Sequence, residues 1–100
     1  MDSDKKPKDI KEILKTKYTL KEIAKHNKQT DIWLILANKV YDVTSFINDH
    51  PGGVEIFMEV AGKNATDGFI EAGHVSNYSI VQMLKDFLIG IVEEENHSKL

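Results

Sequence analysis

Two of the four histidines in this sequence are placed for chemistry and two are not. His97 lies in a charged tail, where a solvated ring is the plain reading. His26 ends a predicted helix, where an imidazolium suits the helix dipole. His50 and His74 differ in kind. Each stands just beyond the end of a short predicted helix and beside glycine, in His50-Pro51-Gly52-Gly53 and Gly73-His74. Glycine lets the backbone turn sharply and approach a flat ligand closely. Between them lie two short helical stretches with apolar residues: Ile56, Phe57, Val60, Ala65 and Phe69. Two helical hairpins, each ending in an imidazole, can face each other across an apolar slot. A planar ligand with a metal at its centre would fill such a slot. A bare zinc ion would want three or four ligands and no slot. On these residues alone, haem and ordinary turn histidines both stay open.

The elements that must position these residues are short. Thr19-Leu20-Lys21-Glu22 is a capping box, predicting a helix from Leu20 to about His26. Ile32–Leu36 predicts a buried strand. Ala37-Asn38 is turn material, and Lys39–Val43 alternates as the return strand of a hairpin. Thr44 can cap a helix over Ser45–Asp49 that carries Phe46 and Ile47 inward. Val54–Ala61 is amphipathic, with Ile56, Phe57 and Val60 expected on one side and Gly62 as its stop. Further helices are expected over Ala65–Ala72, with Phe69 buried, and from Ser76 or Asn77 through Leu84. A last strand is expected over Phe87–Val92. Residues 1–17 read as an extension, with a turn or two of amphipathic helix over Lys8–Lys15. Residues 18–92 read as one domain and 93–100 as a charged tail.

These motifs, in this register, resemble the cytochrome b5 family. The matching pieces are Tyr18-Thr19-Leu20, Trp33-Leu34-Ile35-Leu36, Lys39-Val40-Tyr41-Asp42-Val43-Thr44, Phe46, His50-Pro51-Gly52-Gly53, Ala61-Gly62, Ala65-Thr66, Phe69, Gly73-His74 and Ile89-Gly90. The two histidines stand 24 positions apart, the interval expected in that family. The resemblance implies an α+β fold: a small mixed sheet with short helices forming a haem slot. It implies haem b (iron protoporphyrin IX), held by His50 and His74 as axial ligands. Each imidazole would be oriented through its other ring N–H. Leu36, Phe46, Pro51, Gly52, Ile56, Phe57, Ala65, Phe69, Ala72 and Met83 would line the slot. Leu36 would close its floor, and Trp33 would belong to a second, smaller core across the sheet.

Function would follow from coordination number. Two histidines and four porphyrin nitrogens fill six positions, leaving none for oxygen or substrate. The resemblance therefore implies one-electron transfer by a protein that is not itself an enzyme. A flavin-dependent cytochrome b5 reductase-like donor and an acceptor such as a desaturase or hydroxylase are the partners it suggests. Asp49, Glu55, Glu59, Asp67 and Glu71 would face a basic docking surface on such a partner, steering encounter. The same residues also read as the solvated faces of amphipathic helices. The alternatives are a small-ligand or haem-binding module on the same fold without electron transfer, a metal-free interaction domain, and a His/Met haem using Met58 or Met83.

The sequence departs from the family at named places. Val75 stands where many relatives carry a serine that bonds a haem propionate. The span from His74 to Gly90 is about two residues longer than usual in that family. Asn48 and Val54 stand where acidic residues are common.

Composition removes other classes. The chain has 100 residues and no cysteine. That excludes disulfides, thiolate metal sites, thioether-bound haem and a catalytic thiol. Residues 1–30 carry nine lysines against five acidic residues, and residues 31–100 carry four against eleven, for a formal net charge of −3. There is no arginine, which argues against nucleic-acid binding. No run approaches the ~20 apolar residues of a membrane span, and no apolar leader follows Met1. A soluble, cytoplasmic protein is the expectation. No nucleophile–base pair or phosphate-binding loop is present.

Overall fold

A computed structural model describes residues 9–49, 54–73 and 78–93. The chain runs α1 (Ile10–Ile13), β1 (Lys17–Tyr18), α2 (Leu20–Ala24), β2 (Asn27–Lys28), β3 (Asp31–Leu36), β4 (Lys39–Asp42), α3 (Thr44–Asp49), α4 (Val54–Val60), α5 (Thr66–Glu71) and α6 (Tyr78–Leu84). A 3₁₀ turn (Lys85–Phe87) then leads into β5 (Leu88–Val92). The result is an α+β fold on one five-stranded sheet, in the order β1-β5-β4-β3-β2. Among the described strands, β1 pairs with β5 in parallel, Lys17 opposite Ile91 and Tyr18 opposite Val92, and the other neighbours are antiparallel.

The central hairpin closes through two residues, because Leu36 pairs directly with Lys39. Ala37 (φ 51°) and Asn38 (φ 70°) both adopt the left-handed conformation that such a tight turn requires. β3 is the most buried strand. Its alternate residues divide between two cores. Ile32, Leu34 and Leu36 face one side with Val43, Ile47 and Ala61, and the helices α3–α6 pack there. Ile35 faces the other side with Ile23 and Val40, and Tyr18, Trp33, Ile89 and Val92 pack around them. Trp33 thus lies in the smaller core, as expected.

The helix boundaries follow the local signals closely. Thr19 Oγ1 accepts the Glu22 N–H at 3.0 Å, so the capping box starts α2. α2 ends at Ala24, two residues before the expected His26. Gly62 (φ 76°) and Gly73 (φ 81°) take left-handed backbone after α4 and α5. Thr44 corrects one expectation, because it is the first residue of α3 rather than its cap. Its hydroxyl is committed elsewhere. It donates to Asp42 Oδ1 at 2.6 Å and accepts the Ile32 N–H at 2.9 Å, tying the start of α3 to β3.

Three elements have no counterpart among the expected ones or extend them. β1 and β2 are two-residue strands, too short to show alternation, and α1 fills only part of Lys8–Lys15. α2 crosses from β1 at one sheet edge to β2 at the other and buries Ile23 completely on the smaller core.

Candidate cofactor-binding site

The helices that run into the two candidate ligands are tied to the sheet by named contacts. α3 ends at Asp49, the residue before His50, and its base is fixed by Thr44. α5 is fixed along the free side of β3. Gly62 donates its N–H to Trp33 O at 2.7 Å, Ile35 to Lys63 O at 3.0 Å, and Ala65 to Ile35 O at 2.8 Å. At the start of α5, Thr66 Oγ1 accepts the Ala37 N–H at 2.9 Å and donates to Asn64 Oδ1 at 2.5 Å. The hairpin tip therefore sets where α5 begins and where Phe69 points. α5 runs to Glu71, and Gly73 follows with its left-handed φ, directly before His74.

Leu36 is 6% exposed in the larger core. Phe46, Phe57, Ala65 and Phe69 are partly buried and pack against that same core. The ring centroids of Phe46 and Phe57 lie 6.1 Å apart, edge to face, and Phe46 lies 5.9 Å from Phe87. Phe87 joins this aromatic group through the 3₁₀ turn, a residue that sequence reasoning had assigned only to a strand. Met83 is half-buried on α6. Ala72 is exposed.

Ile56 is 69% exposed, whereas Val54, Phe57, Met58, Val60 and Ala61 meet the core. Of the expected inward set Ile56, Phe57 and Val60, the last two meet the core and Ile56 does not. Consecutive helical residues point about 100° apart, so the stripe through 54, 57, 58 and 61 turns inward and leaves Ile56 aside. His50, Pro51, Gly52 and His74 lie outside the described residues, as do Val75 and His97.

An apolar cavity of about 660 Å³ opens between the hairpin, α5 and α6, and Leu36 and Phe69 of the expected slot form part of its wall. That volume lies within the ~300–1,000 Å³ of small-molecule sites. Val81 and Leu84 of α6 continue the wall. Among the described residues, the core here holds no buried polar or charged side chain. No group of three or more His, Asp or Glu among them could hold a metal ion. The described site therefore offers an apolar, aromatic surface. These residues fit a flat, apolar prosthetic group.

Acidic residues lie around this part of the molecule. Glu55 and Glu59 on α4 and Asp67 and Glu71 on α5 are all exposed. Lys63 alone intervenes between the two helices as a cation, and its ammonium reaches Glu59 O at 3.4 Å.

His26 is a structural residue of a more definite kind than its helix-end position suggested. Its Nε2 meets Glu22 Oε2 at 2.8 Å and its Nδ1 meets Asp31 Oδ2 at 2.8 Å. Partial burial pulls the imidazole pKa down, but the hydrogen bonds to Glu22 and Asp31 outweigh it and hold it above the ordinary value. The hydrogen bond to His26 in turn lowers the Glu22 carboxyl. The signal available in the sequence was the Glu22–His26 spacing of four.

Comparison with known proteins agrees with the geometry. Residues 19–93 match the family model described as "Cytochrome b5-like Heme/Steroid binding domain". Cytochrome b5 of Drosophila melanogaster is 46% identical over 82 residues, 81% of this chain and 60% of that protein. Cytochrome b5 of Oryctolagus cuniculus is 46% identical over 83 residues, 83% of this chain and 60% of that protein. The chain thus spans about three fifths of the length of these curated relatives. Among solved structures, cytochrome b5 of Ostreococcus tauri virus 2 superposes with a TM-score of 0.63 at 36% identity, covering 76% of this chain and 83% of that one. Ectothiorhodospira vacuolata cytochrome b558, titled a prokaryotic homologue of cytochrome b5, superposes at 0.65 with 26% identity, covering 76% and 96%. Sequence and fold point the same way, and the chain belongs to the cytochrome b5 family.

Proposed function

We propose that this chain binds haem b non-covalently and carries single electrons between a reductase and an acceptor oxidoreductase. The carrying observation is the apolar aromatic face. Phe46 on α3, Phe57 on α4, Phe69 on α5 and Ala65 just before α5 pack against one core, and α3 and α5 are the helices that precede His50 and His74 in the chain. Bound haem supplies a one-electron ferric/ferrous couple.

The chain's residues do the rest. His50 and His74 would hold the iron through imidazole nitrogens, leaving no position for oxygen or substrate. Leu36, Phe46, Phe57, Ala65, Phe69 and Met83 hold the porphyrin in apolar surroundings and exclude water, which tunes the potential. The resemblance adds Pro51, Gly52 and Ala72 to the residues that would contact the group. The acidic residues Glu55, Glu59, Asp67 and Glu71 steer a basic partner to the haem-bearing side. The donor this suggests is a flavin-dependent reductase, and the acceptor a desaturase or hydroxylase.

The test is spectroscopic. The chain loaded with haem should show a low-spin reduced spectrum with split α and β bands. His50→Ala and His74→Ala should each open a position that binds carbon monoxide. A high-spin, ligand-accessible iron in the unaltered chain would overturn the reading. Carbon monoxide binding to neither variant would overturn the ligand pair.

A further inference from the structure

α1 packs where a short amphipathic lead-in was expected, and it has a use there. The helix is only four residues long, Ile10–Ile13, with Asp9 Oδ1 accepting the Lys11 N–H at its start. So short a helix has almost no stability of its own. It is held instead by the chain that follows. Thr16 O accepts the Ile91 N–H at 2.9 Å, and Tyr18 O accepts the Glu93 N–H at 2.7 Å. These bonds and the β1–β5 pairing tether the segment to the sheet three to five residues after the end of α1.

That tether sets Ile10 and Leu14 against the cavity shared by Leu36, Phe69, Val81 and Leu84. The two side chains are four positions apart, so they share a helix face. Neither is fully covered by the protein: Ile10 is 50% exposed and Leu14 is 40% exposed. Lys11 and Glu12, the polar residues of the same helix, are exposed as well. The family match spans residues 19–93, so α1 lies outside it.

We propose that α1 is a cofactor-retaining strap, with Ile10 and Leu14 forming an outer apolar wall that slows escape of the porphyrin. This inference rests on the haem-binding reading above. The cavity and the expected slot have two residues in common, Leu36 and Phe69, and a porphyrin that reached past them would extend toward α1. It would then cover the exposed parts of Ile10 and Leu14, and removing those side chains would remove that contact.

The experiment measures transfer of haem from the loaded full chain to an excess of an apo-globin acceptor. Ile10→Ser with Leu14→Ser should speed haem loss about fivefold to tenfold, the order expected from removing two half-buried apolar contacts. The low-spin spectrum should stay unchanged. Lys11→Ser with Glu12→Ser, on the same helix but off the apolar face, should leave the rate unaltered. If the polar pair speeds loss as much as the apolar pair, the wall is not apolar contact and the proposal fails. Should the double serine variant not fold, Leu14→Phe tests the converse and should slow loss; an unchanged rate refutes the strap. A low-spin chain whose haem loss ignores Ile10 and Leu14 overturns the strap alone. A chain that takes up no haem overturns both the strap and the function it rests on.

Discussion

The imidazole of His26 lies flat on the indole of Trp33, with centroids 3.6 Å apart and planes 5° from parallel. Trp33 also meets Tyr18 edge to face, with ring centroids 4.8 Å apart. With Glu22 on one ring nitrogen and Asp31 on the other, His26 joins α2, the β2–β3 turn and the smaller core.

This clamp predicts a pH dependence. The folded-state pKa of His26 is raised, so its stabilising effect is complete below the ordinary imidazole value and is lost as pH rises through the raised one. The lowered Glu22 carboxyl works at the other end, stabilising above the ordinary carboxylate value and failing as pH falls through the lowered one. Lys25, 3.8 Å from Glu22 Oε1, supports the same carboxylate. An NMR titration of the His26 ring should give a midpoint above 6.5. His26→Phe should flatten the fall in denaturant midpoint on the alkaline side. A His26 midpoint at or below the ordinary value would count against the clamp.

Gly90 and Gly68 should respond oppositely to alanine. A Cβ on Gly90 would lie 2.6 Å from Thr16 O and 2.7 Å from Tyr18 Cε2. The first of these is backbone, held in the β1–β5 junction, so it cannot move away cheaply. Gly90→Ala should cost on the order of 1–3 kcal/mol. Gly68, inside α5, has nothing within 4 Å of the same position. Gly68→Ala should stabilise by about 0.5–1 kcal/mol through helix propensity and a less flexible unfolded chain. Urea midpoints of the two variants settle both, and equal effects would contradict the close approach at Gly90.

Removal of haem should loosen the two cores unequally. The expected slot residues Leu36, Phe46, Phe57, Ala65 and Phe69 belong to the larger core, whereas Ile23, Ile35 and Val40 form the smaller one with Trp33 and Ile89. Hydrogen exchange in the haem-free chain should therefore speed up most in α3–α6 and least in β3, β4 and β5. Uniform loss of protection along the chain would show that the cores do not separate.

Charge on α4 and α5 should govern encounter rate more than final affinity. Reversing Glu55, Glu59 and Glu71 to lysine should slow electron exchange with a basic partner about tenfold at low salt. The difference should shrink as salt rises, because exposed charges are screened beyond about 10 Å at 0.1 M. An unchanged rate with unchanged salt dependence would remove the steering role.

Local physics made much of this protein legible in one dimension. The β3–β4 hairpin follows from an apolar run, a two-residue turn and an alternating return. The start of α2 follows from its capping box. Gly62 and Gly73 end helices for the conformational reason their residue type suggests. The division of β3 between two cores follows from the two-residue period of a strand, which places Trp33 and Leu36 on opposite faces. The His50 and His74 motifs, with their spacing, pointed to the family that the comparisons establish.

Other features needed the chain to meet itself. β1 and β2 are two residues each and exist only because β5 and β3 offer them hydrogen-bond partners. Ile56 left the inward face because neighbouring stripes on α4 compete for one core, and that contest is decided by packing. Thr44 looked like a cap, yet its hydroxyl was claimed by Ile32 and Asp42, the former twelve positions away. Ile10 and Leu14 line one cavity with Phe69 and Leu84, residues far from them in the chain. Sequence by itself determined the periodicities, turns and candidate ligands, because those depend on neighbours a few residues apart. Tertiary structure alone decided which half-apolar residues found partners, because those partners are remote in the chain.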